Sequence, residues 1–438
     1  MTESFPAPDP AAAFPAPGAP SPGDPAGTEV SVPDAPPTSD PVAAEVPAFE
    51  VQVRATASAT APHPPGRVGG IDMVRAIALI GVVVMNYHGY LNSETAMDAR
   101  IFAGRLFNPW IGVLSTRFAA TFVMVAGVGV TLLTRRSVAS GGVAAIRADR
   151  WRLRRRGLLL LAGGYVLNWI WSGTILPFYG MYFVLASFLF TWRARLLVAL
   201  ATAAALVSAG LHAWTTHRTL HGGTDVWIYT KTSYYASTPG DLRSPRNLVA
   251  ELVVNGTHPL VPWLAFLIVG MLLGRTVGRF RALRLRLIGV GLALLTGGYG
   301  LSTLGRQALK HSSSRSADDM RHLLLTDPFS RGLLYTVTAI GSSLVAIMVI
   351  SAIGERWPNA APVRLLAHAG QMTLTLYVLH AVVFNEIVTQ RHLVRSTGLD
   401  TALVLSGAFW IVGIGAAAAW HRWLGMGPLE RLYRSFGG

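Results

Sequence analysis

The sequence predicts an all-α polytopic membrane protein: a bundle of about ten transmembrane helices with a disordered N-terminal tail. Three observations predict it. Of the 438 residues 51% are hydrophobic and only 13% charged, against about 25% charged in an ordinary soluble protein. Mean hydropathy is +0.43. Apolar runs of spanning length recur from residue 71 to residue 423.

The net charge of +15 is almost all arginine, since lysine occurs only at Lys231 and Lys310. A basic balance can signal nucleic acid, but these arginines cluster beside apolar segments. That is the pattern of membrane orientation, so no nucleic-acid partner is expected. The chain has no cysteine. Disulfides, thiolate metal sites and a cysteine nucleophile are therefore excluded.

Residues 1–66 are Pro, Ala, Gly, Ser and Asp in loose order, as in "PAPDPAAAFPAPGAPSPGDPAG". Such a segment buries too little apolar surface to offset its ordering entropy, and is expected to be a disordered cytoplasmic tail. It has no basic stretch followed by an apolar one, so it does not read as a signal peptide. A transmembrane bundle is expected over 67–424 and a short cytoplasmic C-terminal tail over 425–438.

Ten apolar segments follow the tail, at about 71–91, 112–134, 153–172, 175–192, 195–214, 260–280, 283–304, 329–353, 366–389 and 402–423. The third and fourth are joined by the turn "SGT". The loop after the second, "TRRSVASGGVAAIRADRWRLRRR", and the loop after the sixth, "GRTVGRFRALRLR", fall on one side if spans alternate. That side is expected to be cytoplasmic, with both termini on it, in a multi-pass protein of the cell membrane. The outer connection 215–259 carries Trp227, Tyr229, Tyr234 and Tyr235. They read as an interfacial aromatic belt or as the lip of a sugar- or lipid-binding site. "GVGV" and "LAGGY" read as points of close helix packing.

Polar groups inside spans usually face the bundle interior and mark function; the plainer alternative is a structural hydrogen bond between helices. The first span opens "GGIDMVRAIA". Asp72 and Arg75, three apart, can pair on one face. Asn86 lies fourteen residues after Asp72, back on nearly the same face and about 21 Å further along. Leu79 and Val83 lie between. His88 sits about 200° around from Asn86 if the helix continues. The two share a site only if the helix ends or unwinds near residue 86, which Gly89 permits. In the ninth segment, "HAGQMTLTLYVLHAVVFNEIV", Thr373, Tyr377 and His380 fall on one face, followed by Asn385 and Glu386. Asn168 in "YVLNWIW" and His258 before "PLVPW" complete the outer polar set. No nucleophile elbow, H-E-x-x-H or phosphate-binding glycine loop occurs, and no metal is expected.

"IDMVRAIALIGVVVMNY" resembles the opening of heparan-α-glucosaminide N-acetyltransferase-type membrane acetyltransferases and their YeiB-like bacterial relatives. "RFAATFVMVAGVGVTLLTRR", "RRRGLLLLAGGYVLN", "ILPFYGMYFVLAS", "HPLVPWLAFLIVGMLLGR" and "GQMTLTLYVLHAV" continue the resemblance in order over residues 67–424. It implies a multi-helix acyltransferase that takes an acyl group, typically acetyl, from cytoplasmic acetyl-CoA or another acyl-CoA. The acceptor would be an amine or hydroxyl of a sugar, glycolipid or small molecule on the far side, in the cell envelope. It also implies a homodimer. It ties catalysis to the Asn that ends the first helix, here Asn86, and to a following His. His88 is the only His between Asn86 and Arg105, and His380 is the other candidate base, beside Tyr377. Asp72 and Arg75 would meet the acyl-CoA. A transporter or flippase for a small polar molecule or lipid is the alternative that the same hydropathy allows.

Overall fold

The computed structural model describes residues 69–91, 102–110, 112–171, 173–222, 251–394 and 398–437. The expected 1–66 tail and the aromatic belt at Trp227, Tyr229, Tyr234 and Tyr235 lie outside these residues. Among the described residues there is no β-strand.

Fourteen α-helices follow one another among the described residues: α1 Gly69–Tyr90, α2 Phe102–Leu106, α3 Arg117–Ser140, α4 Val143–Leu167, α5 Leu176–Leu189, α6 Ala194–Leu220 and α7 Leu260–Gly274. Then come α8 Phe280–Ala308, α9 Arg315–Leu323, α10 Leu333–Arg356, α11 Ala361–Gln371, α12 Thr373–Phe384, α13 Leu399–Leu424 and α14 Pro428–Gly437. The protein is a multi-pass membrane protein; among the described residues six helices are long and apolar enough to cross a bilayer: α1, α3, α6, α8, α10 and α13.

The expected count of ten spans is matched only in part, and helix length is the reason. α5 has 14 residues and α7 has 15; at 1.5 Å per residue they rise about 21 Å and 22 Å, short of a hydrocarbon core of about 30 Å. α4 carries six arginines and Asp149 in its first 14 residues, so only its second half is apolar. The ninth segment is not one helix. α11 and α12 meet at Met372 with a bend of 80°.

α1 is the central helix. α3, α10, α11, α12 and α13 all pack against it, and most of its length is buried. This is why α1 holds Asp72 and His88 inside the protein rather than against lipid. Small residues let the helices approach. A Cβ on Gly270 of α7 would lie 2.0 Å from the Met124 carbonyl oxygen of α3, and one on Gly127 of α3 would lie 2.2 Å from that of Leu267. Both obstacles are backbone, so only glycine fits at this crossing. Gly127 belongs to "GVGV", as expected. In "LAGGY" Gly164 meets Pro177, whereas Gly163 faces open space.

A buried arginine that the sequence reading passed over ties three helices together. Arg117, at the start of α3, donates from Nη1 to the Tyr335 carbonyl (3.2 Å) and from Nη2 to Thr338 Oγ1 (2.9 Å) and the Tyr299 hydroxyl (3.3 Å). It links α3 to α8 and α10 and stacks its guanidinium over the Tyr335 ring.

The α11–α12 break leaves the first N–H groups of α12 without helical partners inside the bundle, a costly arrangement unless something accepts them. Glu430 of α14 does so. Its Oε1 accepts from the backbone of Leu374 (2.7 Å) and Thr375 (3.1 Å), and its Oε2 from Thr375 Oγ1 (2.5 Å). A carboxylate at a helix N-terminus is favoured by the helix dipole as well. The segment 425–438, read from sequence as a tail, is thus largely a helix that packs on α4 and caps α12. Glu430→Ala removes all three acceptor contacts. We expect a loss of about 2 kcal/mol or more in stability and faster hydrogen exchange at the Leu374 and Thr375 amides. Unchanged exchange at those two amides would refute the capping role.

Candidate active site

α1 brings Asn86 and Tyr87 to its C-terminal end, and α12 brings Tyr377 and His380 to the same level. The Asn86 amide nitrogen lies 3.3 Å from His380 Nε2. His380 is fully buried, and Asn86 half-buried. His380 Nδ1 is bonded to the Tyr377 carbonyl one turn back. A carbonyl only accepts, so that contact places the ring proton on Nδ1 and leaves the Nε2 lone pair to accept from the Asn86 amide. The Tyr87 hydroxyl donates to the His380 carbonyl (3.1 Å), locking α1 onto α12 at this level.

Aromatic rings enclose the imidazole. Tyr377 lies 4.8 Å from it, Trp171 5.2 Å and Tyr87 6.0 Å between ring centroids, with Phe409 of α13 behind. Phe384 packs on both Trp171 and Tyr87. The Tyr377 hydroxyl points away from His380 toward the α4–α5 turn. There it accepts from the Ile175 N–H (2.9 Å) and reaches Thr174 Oγ1 (3.4 Å). Its contribution to the imidazole is its carbonyl and its ring face.

His88 goes elsewhere. α1 runs unbroken to Tyr90, so Asn86 and His88 point in different directions, as the helical angle predicted for a continuous helix. His88 is buried, with Nδ1 2.8 Å from the Phe107 carbonyl. His258 is also apart. It lies against Trp263 and Phe178, with Nδ1 2.8 Å from Thr257 Oγ1. Glu386 forms an exposed pair with Arg391 (2.6 Å), and Asn385 opens the π-helical turn after α12. Asn168 ends α4, buried, with no partner for its Oδ1.

At the other end of α1, Arg75 Nη1 lies 3.0 Å from Asp72 Oδ1. Asp72 is buried where α11 crosses: a Cβ on Gly370 would fall 1.8 Å from the Asp72 carbonyl oxygen. The guanidinium of Arg75 reaches α3 at Gly129, where a Cβ would lie 2.9 Å from Nη2. Between the two ends, Arg75, Val82, Asn86 and Gly89 are all partly open. At 100° per residue they share a sector of about 60°. These positions form the partly open face of α1; Leu79 and Val83, on the expected stripe, are fully buried. One to two turns beyond Gly129, α3 and α4 form an open basin of about 540 Å3 lined by Arg135, Arg136 and Arg152, with Asp149 bonded to Arg152 and Ser137.

Two members of the site escaped the sequence reading. Trp171 is 1% exposed, and its indole N–H has no partner. Tyr87 stands in the sequence between Asn86 and His88 at the polar end of the first span, with no pattern that assigns it a partner. Both stand beside polar residues that were noticed, Asn168 and Asn86, and only their tertiary neighbours distinguish them.

The fold and site define an all-α multi-pass membrane protein with a histidine–amide pair enclosed in its bundle and an arginine-lined basin between α3 and α4. Residues 67–310, more than half of the chain, match the family described as heparan-alpha-glucosaminide N-acetyltransferase, catalytic. Residues 320–437 match a family described as a protein of unknown function, DUF418. No curated protein matches the chain. The chain belongs to the heparan-alpha-glucosaminide N-acetyltransferase catalytic family, a transferase family, as the first-span motif led us to expect.

Proposed function

We propose that the protein is a transmembrane acyltransferase that moves an acyl group, acetyl in the first instance, from cytoplasmic acyl-CoA to an amine or hydroxyl of a sugar or glycolipid on the other side. The observation that carries this reading is the Asn86–His380 pair at 3.3 Å, set in an aromatic enclosure in the outer half of the bundle.

Acyl-CoA enters from the arginine-rich side. Arg75 and the basin of Arg135, Arg136 and Arg152 neutralise its phosphates. The pantetheine arm follows the partly open face of α1 to Asn86. His380 Nε2 takes the proton of the acceptor amine or hydroxyl as that atom attacks the thioester carbon. The Asn86 amide, released from Nε2, donates to the oxyanion. As the carbon–sulfur bond breaks, the imidazolium returns the proton to the departing CoA thiolate. The two transfers leave His380 neutral.

In this reading the chain crosses the membrane ten times with both termini cytoplasmic, the short α5 and α7 spanning where the protein thins the bilayer. The test is acetyl-CoA binding to the purified full-length protein by isothermal titration, beside Arg75→Ala. We expect saturable binding that weakens about tenfold or more in the variant. A folded protein that binds neither acetyl-CoA nor longer acyl-CoAs would refute the proposal. One observation favours a transporter as the second reading: broken helices such as α11–α12 line solute sites in transporters. Solute flux in proteoliposomes without acyl transfer would establish it.

A further inference from the structure

The sequence of α6 ends in "HRTLH", which places His217 and His221 four residues apart on one face of its last turn. α9 packs against this end of α6 and sets Asp319 between the two imidazoles. His217 Nδ1 lies 2.8 Å from Asp319 Oδ2, and His221 Nε2 lies 3.1 Å from Oδ1. Among the described residues no arginine or lysine pairs with this carboxylate. The neighbouring Asp318 is taken by Arg321.

We propose that His217, His221 and Asp319 form a binding site for one divalent metal ion of the zinc class, at the end of α6 remote from the arginine-rich loops. The donor atoms, Nδ1, Nε2 and a carboxylate oxygen, lie within 4.8 Å of one another. Zinc holds nitrogen and oxygen ligands at about 2.0–2.1 Å, so the edge of its coordination tetrahedron is about 3.3 Å. The two nitrogen–oxygen distances are close to that edge but run to different carboxylate oxygens; side-chain rotations within the 4.8 Å cluster bring both nitrogens around one ion held by the carboxylate. Two imidazoles and one carboxylate suit zinc and its neighbours in the late first row, while calcium and magnesium take all-oxygen sets. Each imidazole meets the carboxylate through the nitrogen that would bind the ion. His217 is mostly exposed, with 65% of its side chain accessible, so a fourth position stays open to water. The ion would join the end of a spanning helix to the short helix α9, neither of which contacts the Asn86–His380 site. The inference therefore stands independently of the acyltransferase reading.

The experiment uses full-length protein without a polyhistidine tag, stripped with chelator and dialysed. Zn2+ is titrated calorimetrically, and Co2+ is added to a second sample for its visible ligand-field spectrum. We expect one ion per chain, a Co2+ band of a four- or five-coordinate site, and a rise in Tm on Zn2+ addition. Asp319→Asn should weaken Zn2+ about tenfold or more. The His217→Gln, His221→Gln double variant should abolish both the Co2+ band and the Tm rise. Wild-type protein that binds no saturable Zn2+ would overturn the proposal. So would a folded variant of either kind that binds as wild type does. If the double variant does not fold, Asp319→Asn carries the comparison.

Discussion

His380→Gln is expected to lower acyl transfer by about 10²–10⁴-fold while leaving acyl-donor binding within about twofold of wild type. Glutamine keeps much of the volume of the imidazole and can still meet the Asn86 amide, but it has no basic lone pair at neutral pH. The assay is acetyl transfer to a panel of amino sugars and glycolipids in reconstituted membranes, with donor affinity measured separately. His88→Gln supplies the contrast. Its imidazole is committed to the Phe107 carbonyl on the opposite flank of α1, so transfer should stay within about tenfold of wild type. If His88→Gln abolishes transfer and His380→Gln does not, the base is His88 and the proton path above is wrong.

Asn86→Ala is the second large effect. Removing a preorganised oxyanion donor lowers turnover by about 10²–10³-fold, and the Asn86 amide lies within hydrogen-bond reach of His380 Nε2. Acyl-CoA binding should persist, since the phosphates are held at the other end of α1. The substitution also removes a hydrogen bond between helices. Its cost in stability should be about 1 kcal/mol, in line with polar contacts between spans, and far too small to account for the lost turnover. Thermal unfolding in detergent separates the two. Retained turnover in a folded Asn86→Ala protein would remove Asn86 from the chemistry. A collapse of Tm would assign it to structure instead.

Much of this site was legible before any tertiary contact was known. The Asp72–Arg75 pair follows from a three-residue spacing, and it forms at 3.0 Å. Asn86 and His380 both stood out as polar groups in apolar runs, because burying an amide or an imidazole in a bilayer is costly without a partner. The divergence of Asn86 and His88 also follows from helix geometry, once α1 is known to continue to Tyr90. Trp171 was hidden because a tryptophan near a span end is the commonest interfacial residue. The His217–His221–Asp319 cluster was hidden because its carboxylate lies about a hundred residues away on another helix.

The span count shows the same division. Hydropathy averages over a window and joins α11 to α12 across Met372, because the residues on both sides are apolar. The 80° bend is visible only in the backbone, where Glu430 accepts the N–H groups that the break exposes. Hydropathy likewise credits α4 with a span although its first half carries six arginines.

The sequence by itself determined that this is a helical membrane protein, where its apolar segments lie, which family it belongs to and which polar groups had to be explained. These are properties of composition and of periodicity within single helices, set by rules that act over a few residues. Only the tertiary structure decided which of those groups meet. Asn86 and His380 are 294 positions apart, and their pairing depends on α11 and α12 breaking at Met372 and on glycine at the crossing with Asp72. Such contacts depend on packing between helices, to which no local pattern in the chain corresponds.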